Sequence, residues 1–167
     1  LVCGPVSQPT PRGVTRVDVA GALDMHREVM QRAAAQDVFV GVAAVADYRP
    51  QAASEHKIKK DDGAAPTITL VENPDILAEV AALPNPPLCV GFAAESHDLL
   101  KHAREKLARK NVPLIVGNLG PATFGQDDNT LTLVDAAAHR ELPRADKLTL
   151  ARALVAEIAA RLAADKT

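Results

Sequence analysis

The sequence predicts an α/β protein: a three-layer, Rossmann-like, mostly parallel sheet with helices on both faces and an antiparallel edge hairpin. Three observations carry this expectation. The run Val38-Phe39-Val40-Gly41-Val42-Ala43-Ala44-Val45-Ala46 is apolar nearly throughout, as expected of a parallel strand buried on both faces. Strand-like runs alternate with stretches of helical spacing along the chain. Near the end, two short segments at 130–134 and about 140–142 fit a hairpin.

Each element follows in order. Leu1-Val2-Cys3-Gly4 reads as the tail of a strand, before a Pro-, Ser- and Gln-rich loop over 5–12. Residues 14–19 suit a short strand. Over 21–35, Leu23, Val29, Met30 and Ala33 recur at roughly helical spacing. The apolar run from Val38 stops abruptly at Asp47-Tyr48-Arg49-Pro50. Residues 50–66 contain charge, Gly and Pro without a period, and are long enough for a functional flap. A short strand at 67–71, a helix at 75–83 and a buried strand at 87–93 come next. Ser96 suits the N-cap of a helix reaching about Lys110, with Leu99, Leu100, Ala103 and Leu107 inward. Residues 114–116 read as a strand ending at Asn118, and 120–128 as a loop. Asp146 or a neighbour opens the last helix, where Leu150, Leu154, Ile158 and Leu162 recur every fourth residue. Neither a repeat nor a linker is visible, so 1–167 reads as a single domain.

Bulk properties exclude several classes. The net charge of −2 gives no basic field for nucleic acid. One Tyr and no Trp leave no platform for stacking bases. Cys3 and Cys89 fit reduced packing residues, and no CxxC or Cys/His spacing suggests zinc. No apolar run approaches the roughly 20 residues of a membrane span, and no signal peptide is visible. The expected setting is cytoplasmic, with neither nucleic acid nor membrane as partner.

Open α/β sheets bind ligands beyond the carboxyl ends of their strands. Asp47, with Lys57, Lys59 and Lys60 downstream, therefore lies where a polyanion would bind. The plainer alternatives are a turn acid and a solvated charge run. Asn73-Pro74-Asp75 has the order of a helix start: a capping amide, a first-position proline and a first-turn acid. Its free N–H groups could equally face an anion. Lys106 and Lys110 share one helix face. They suit a solvated face near a helix C-terminus, where cations are favoured. Phe92 closes its strand, as core or against a ligand, and Phe124 sits in a polar loop with Asp127-Asp128-Asn129. The five histidines show no ligand spacing.

Five ordered stretches resemble phosphopantothenoylcysteine synthetase of the bacterial, CTP-dependent type. They are Ala43-Ala44-Val45-Ala46-Asp47-Tyr48-Arg49-Pro50 with Lys57-Ile58-Lys59-Lys60, then Glu72-Asn73-Pro74-Asp75-Ile76, then Gly91-Phe92-Ala93-Ala94-Glu95. Lys106 and Lys110 before Ile115-Val116-Gly117-Asn118 make the fourth, and Phe124 with Asp127-Asp128-Asn129 the fifth. The resemblance covers essentially the whole chain. It implies the ligase step of coenzyme A biosynthesis: 4′-phosphopantothenate and L-cysteine joined through an acyl-cytidylate made with CTP. It makes Lys57 catalytic, its ammonium stabilising charge on the phosphoryl oxygens, and gives Lys59 and Lys60 to the substrate. It brings Gly41, Val42, Ala43, Asp47, Lys57, Pro74, Asp75, Ile76, Leu77, Phe92, Lys106 and Lys110 against the nucleotide. At Gly41, Val42 and Ala43, small side chains permit close approach.

The resemblance also implies Mg2+ or Mn2+, with protein ligands unassigned, and a homodimer. In many bacteria this domain follows a flavin-dependent decarboxylase domain, and no FMN site is expected in this chain. The chain begins inside what corresponds to the family's second strand. The domain therefore reads as N-terminally incomplete, lacking the family's upstream asparagine, and the isolated chain is expected not to complete ligation. Two rivals remain. An NAD(P)-dependent oxidoreductase would want a G-x-G-x-x-G turn that is not present here, and often a Tyr-x-x-x-Lys pair, but Tyr48 has Ala52 at that offset. A catalytically incomplete nucleotide-binding or dimerisation fragment is the other.

Overall fold

Which side chains a strand sends to each face decides the layers of this protein. The computed structural model describes residues 1–54, 67–123 and 125–164. Its elements in chain order are β1 (Val2–Cys3), β2 (Val17–Asp18), α1 (Ala22–Ala33), β3 (Val38–Gly41), β4 (Tyr48–Pro50), β5 (Leu70–Glu72), α2 (Ile76–Ala81), β6 (Leu88–Glu95), α3 (Leu99–Lys110), β7 (Leu114–Leu119), α4 (Gly120–Thr123), β8 (Asp128–Val134), β9 (His139–Asp146) and α5 (Lys147–Ala164). They form two compact units: Leu1–Val29 with Ala43–Asp75, and Met30–Val42 with Ile76–Thr167.

The second unit holds a five-stranded sheet in the order β3-β6-β7-β8-β9. The first three strands are parallel and the last three antiparallel in succession, so the mostly parallel fold with an edge hairpin is as expected. On β7, Leu114 and Val116 join Val90, Leu131, Leu133 and Leu142 in a core closed by Leu150, Leu154 and Ile158 of α5. The intervening Ile115 and Gly117 face the other way, toward side chains of α2 and α3. A Cβ on Gly117 would fall 2.8 Å from Leu99 Cδ1, and one on Gly91 would fall 2.6 Å from Leu77 Cδ2 and 2.8 Å from Ile115 Cδ1. Alternation along a strand thus sets α5 on one face and α2 with α3 on the opposite face. These are the three layers.

The first unit contains two small sheets, the parallel pair β1-β2 and the antiparallel pair β4-β5. The pairing of Tyr48 with Glu72 and Pro50 with Leu70 brings the end of the expected apolar run beside the segment before α2.

Several expectations change. The run from Val38 does not stay a strand to Ala46, nor is it buried on both faces. β3 ends at Gly41, and Val40 and Val42 are 39% and 60% exposed. Among the described residues β3 pairs only with β6, so one of its edges lacks a neighbour that would cover it. Ser96 does not cap α3. The N-cap is Asp98, in the left-handed region at φ 49° and ψ 37°, without a side-chain cap, while Ser96 Oγ lies 2.8 Å from His97 Nδ1. A short α4 interrupts the expected loop over 120–128. Asp146 does open α5, its Oδ1 accepting from Thr149 N at 2.9 Å in the usual N-cap arrangement. Those bonds to Thr149 hold its carboxyl below the ordinary range. No helix among the described residues is long and apolar enough to cross a membrane.

Candidate functional site

Strand β3 ends at Gly41, while β6 and β7 run on to end level at Glu95 and Leu119. Gly41 stands directly across from Gly91 in the β3–β6 register. Neither carries a side chain there, so Leu77 of α2 lies down onto both strands. Its Cδ1 is 3.7 Å from the Cβ position of Gly41 and its Cδ2 2.6 Å from that of Gly91. A glycine inside a strand is expected where another group approaches closely, and here that group is Leu77. Ile76 is buried beside it in the sequence. One residue past Gly91, the Phe92 carbonyl accepts a 2.6 Å hydrogen bond from Lys106 Nζ. Lys106 is half-buried on α3, and Lys110 stands one turn further along. Of the residues singled out in the sequence, this unit brings together Gly41, Leu77, Phe92 and Lys106. The bond to Phe92 fixes the direction of the lysine.

In the first unit, Asp47 is exposed and precedes β4. Asn73 does not cap a helix, contrary to the reading of Asn73-Pro74-Asp75 as a helix start. α2 begins at Ile76, too far on for that amide to serve its first turn. Instead Asn73 N donates to Asp47 O at 2.8 Å, and Asn73 Nδ2 to Ala46 O at 2.8 Å. Arg49 Nη1 donates to Asn73 Oδ1 at 3.2 Å and also to Glu72 O. Pro74 is half-buried, and Asp75 and Ala43 are exposed. Arg49 and Asn73 were not selected from the sequence as site residues. Their signal is nonlocal: the two strings meet only through the β4–β5 pairing. Lys57, Lys59, Lys60 and Phe124 lie outside the described residues.

At the end of β6, Glu95 Oε2 lies 3.2 Å from His102 Nδ1, and the rings of His97 and His102 meet edge-on with centroids 5.4 Å apart. Spacing in the sequence gave no sign of this cluster. Among the described residues His102 Nδ1 has no hydrogen-bond partner. Asp128, from the polar stretch after Phe124, is engaged by the guanidinium of Arg144 through two 2.7 Å bonds. That holds its carboxyl below the ordinary range. Cys89, on β6 and 2% exposed, has its thiol pushed up to about 11 by burial.

Residues 1–162 match the DNA/pantothenate metabolism flavoprotein C-terminal domain family. The chain belongs to this family. The match runs through both compact units. Among curated relatives, the chain is 48% identical over 160 residues to the coenzyme A biosynthesis bifunctional protein CoaBC of Vibrio cholerae, covering 93% of this chain and 40% of the relative. Its counterpart in Escherichia coli K12 is 45% identical over 167 residues, covering 96% and 41%. The chain thus spans about two-fifths of the length of these relatives. A crystal structure of the C-terminal domain of a CoaBC protein superposes with a TM-score of 0.79 at 32% identity, over 96% of this chain and 72% of that one. The fold expected from the sequence is the fold of that domain.

Proposed function

We propose that this chain carries the ligase chemistry of coenzyme A biosynthesis, joining 4′-phosphopantothenate to L-cysteine with CTP. The observation that carries the reading is membership of the family over residues 1–162. The half-buried Lys106 lies beside the Gly41–Gly91 pair, where β3 reaches its carboxyl end, and an open parallel sheet takes its ligand beyond the carboxyl ends of its strands. In the first step a carboxylate oxygen of 4′-phosphopantothenate attacks the α-phosphorus of CTP. The bond to the bridging oxygen breaks and pyrophosphate leaves. The cysteine nitrogen then attacks the acyl carbon, gives up a proton, and CMP departs with the electron pair of the broken C–O bond.

In this reading Lys106 and Lys110 offset triphosphate charge, and Gly41, Val42 and Ala43 allow the nucleotide close to the backbone. Asp47, Pro74, Asp75, Ile76, Leu77 and Phe92 border it. Lys57 stabilises charge that develops on the phosphoryl oxygens, and Lys59 and Lys60 hold the acyl substrate. Among the described residues no three His, Cys, Asp or Glu side chains converge to cage a metal ion. Mg2+ or Mn2+ is expected from the polyphosphate chemistry, and the steps above assign it no protein ligand.

We also propose a homodimer. Tyr48, Ile68 and Leu70 are exposed at and beside β4-β5, and a two-stranded sheet alone is marginally stable in water. Sedimentation of the full-length protein tests this. The flavin-dependent decarboxylase domain implied by the resemblance belongs, in this reading, to a part of the longer protein outside this chain.

The deciding experiment follows pyrophosphate release by the full-length protein. Release should require CTP and 4′-phosphopantothenate together, and NADPH should be inert. Lys57→Ala should still bind CTP by calorimetry yet release little pyrophosphate, because a group acting only on the transition state lowers rate more than binding. Acyl-cytidylate formation at the wild-type rate in that variant would remove Lys57 from the chemistry.

A further inference from the structure

We propose that Asn73 is a positioning residue which, with Arg49, fixes the Ala46–Asp47 turn for nucleotide use. The proposal rests on the reading of Asp47 as a nucleotide contact. Two consecutive carbonyl oxygens, those of Ala46 and Asp47, both end on Asn73, one through its side-chain amide and one through its backbone N–H. The same side chain's oxygen receives the Arg49 guanidinium. Arg49 in turn reaches the Glu72 carbonyl, one residue before Asn73. Pro74 follows and has no N–H, so backbone donors from this strand stop at Asn73. The side-chain amide of Asn73 adds a second donor toward the turn. The arrangement is closed in both directions: Arg49 orients the amide, and the amide orients the peptide that carries Asp47.

The chemistry of the amide separates this role from helix capping. A cap uses only a side-chain oxygen, so Asn, Asp and Ser serve it about equally. The clamp needs a donor toward Ala46 O and an acceptor toward Arg49 on one side chain, which a carboxamide has and a carboxylate lacks. Asp at position 73 would turn an oxygen toward the Ala46 carbonyl, leaving two acceptors facing each other.

The test uses the full-length protein and steady-state kinetics with CTP, 4′-phosphopantothenate and L-cysteine. Asn73→Asp should raise KM for CTP roughly 10-fold, as loss of one hydrogen bond with an acceptor left unpaired predicts. KM for cysteine should stay within about twofold of wild type. Asp47→Ala should also impair CTP use. The double variant should be no worse than Asp47→Ala alone, since Asn73 acts through that residue. If Asn73→Asp fails to fold, Arg49→Ala takes its place with the same expectation, because alanine removes the Nη1 that donates to both Glu72 O and Asn73 Oδ1. A normal KM for CTP in Asn73→Asp beside an impaired Asp47→Ala overturns the positioning role alone, as do effects that simply add in the double variant. Unchanged CTP use in Asp47→Ala instead overturns the nucleotide reading of the turn, and the clamp's role with it.

Discussion

The two compact units are held together by different forces. In the first, the described residues bury two apolar side chains, Val19 and Val29, and order comes from directed bonds to backbone. Arg16 reaches Gln8 O at 2.9 Å and pairs with Asp18, and Asn73 and Arg49 tie the Asp47 turn. In the second, Val90, Leu114 and Val116 are fully buried, and three α5 side chains close over them. A hydrogen bond contributes only about 0.5–1.5 kcal/mol net but fixes a direction. Apolar burial contributes more per side chain without specifying a direction. The second unit therefore supplies stability, and the first aims particular peptide groups. Functional segments are commonly drawn from the less stable part of a fold.

The comparison breaks first in the core. Leu114→Ala should cost about 2–5 kcal/mol, read as a lower denaturation midpoint, since Leu114 is 0% exposed. A cost near zero would mean that this core is not the source of stability. Next comes Lys106→Ala in the full-length protein. If its ammonium meets the triphosphate, losing that bond should cost about 1.5–3 kcal/mol in CTP use, with little change toward cysteine. An equal loss for both substrates would mark Lys106 as structural through its bond to Phe92.

A pair of glycines sharpens the contrast between units. Gly91→Val should lose about 1–3 kcal/mol by overpacking, because Leu77 and Ile115 already occupy the space. Gly4→Ala, with nothing within 4 Å of its Cβ position, should stay within about 0.5 kcal/mol of wild type. Thermal melts of the two variants decide the matter.

The smallest effect concerns acid. Hydrogen bonds from Arg161 hold the carboxyls of Asp135 and Glu157 below their ordinary values, at 2.8 Å each. Carboxyls depressed in the fold stabilise it above their unfolded values near about 4, and that contribution is lost as pH falls through the folded values. These pairs are partly solvated, so less than about 1 kcal/mol is at stake. Arg161→Gln should flatten the acid limb of the stability curve below about pH 4, and an unaltered limb would assign that limb to other groups.

What could be read from the sequence was local. The every-fourth pattern of Leu150, Leu154 and Ile158 gave α5 and its buried face, and the run ending in Gly91-Phe92-Ala93 gave β6. The end of β3 was not legible. Val42 to Ala46 are apolar and small, and such residues look alike in a strand and in an exposed turn. Asn73-Pro74-Asp75 has the same letters whether its amide caps a helix or holds a turn. The choice depends on Ala46, 27 residues away, and no local period records it. Asp98 took the cap position from Ser96 by adopting a left-handed backbone, for which aspartate's short side chain offers only a mild preference. The lysines at the centre of the proposed chemistry, Lys57, Lys59 and Lys60, were visible as a charge run, but they lie outside the described residues.

The burial of Cys89 carries a consequence for redox behaviour. Disulfide exchange requires a thiolate. At neutral pH a thiol whose value stands at about 11 is almost wholly protonated, and at 2% exposure it is also shielded from attack. In the proposed reaction free cysteine is a substrate, and the protein then meets small thiols and the cystine they form. Cys89 is chemically silent toward both, so the strand that carries Phe92 does not acquire a mixed disulfide as the surrounding thiol pool becomes more oxidised.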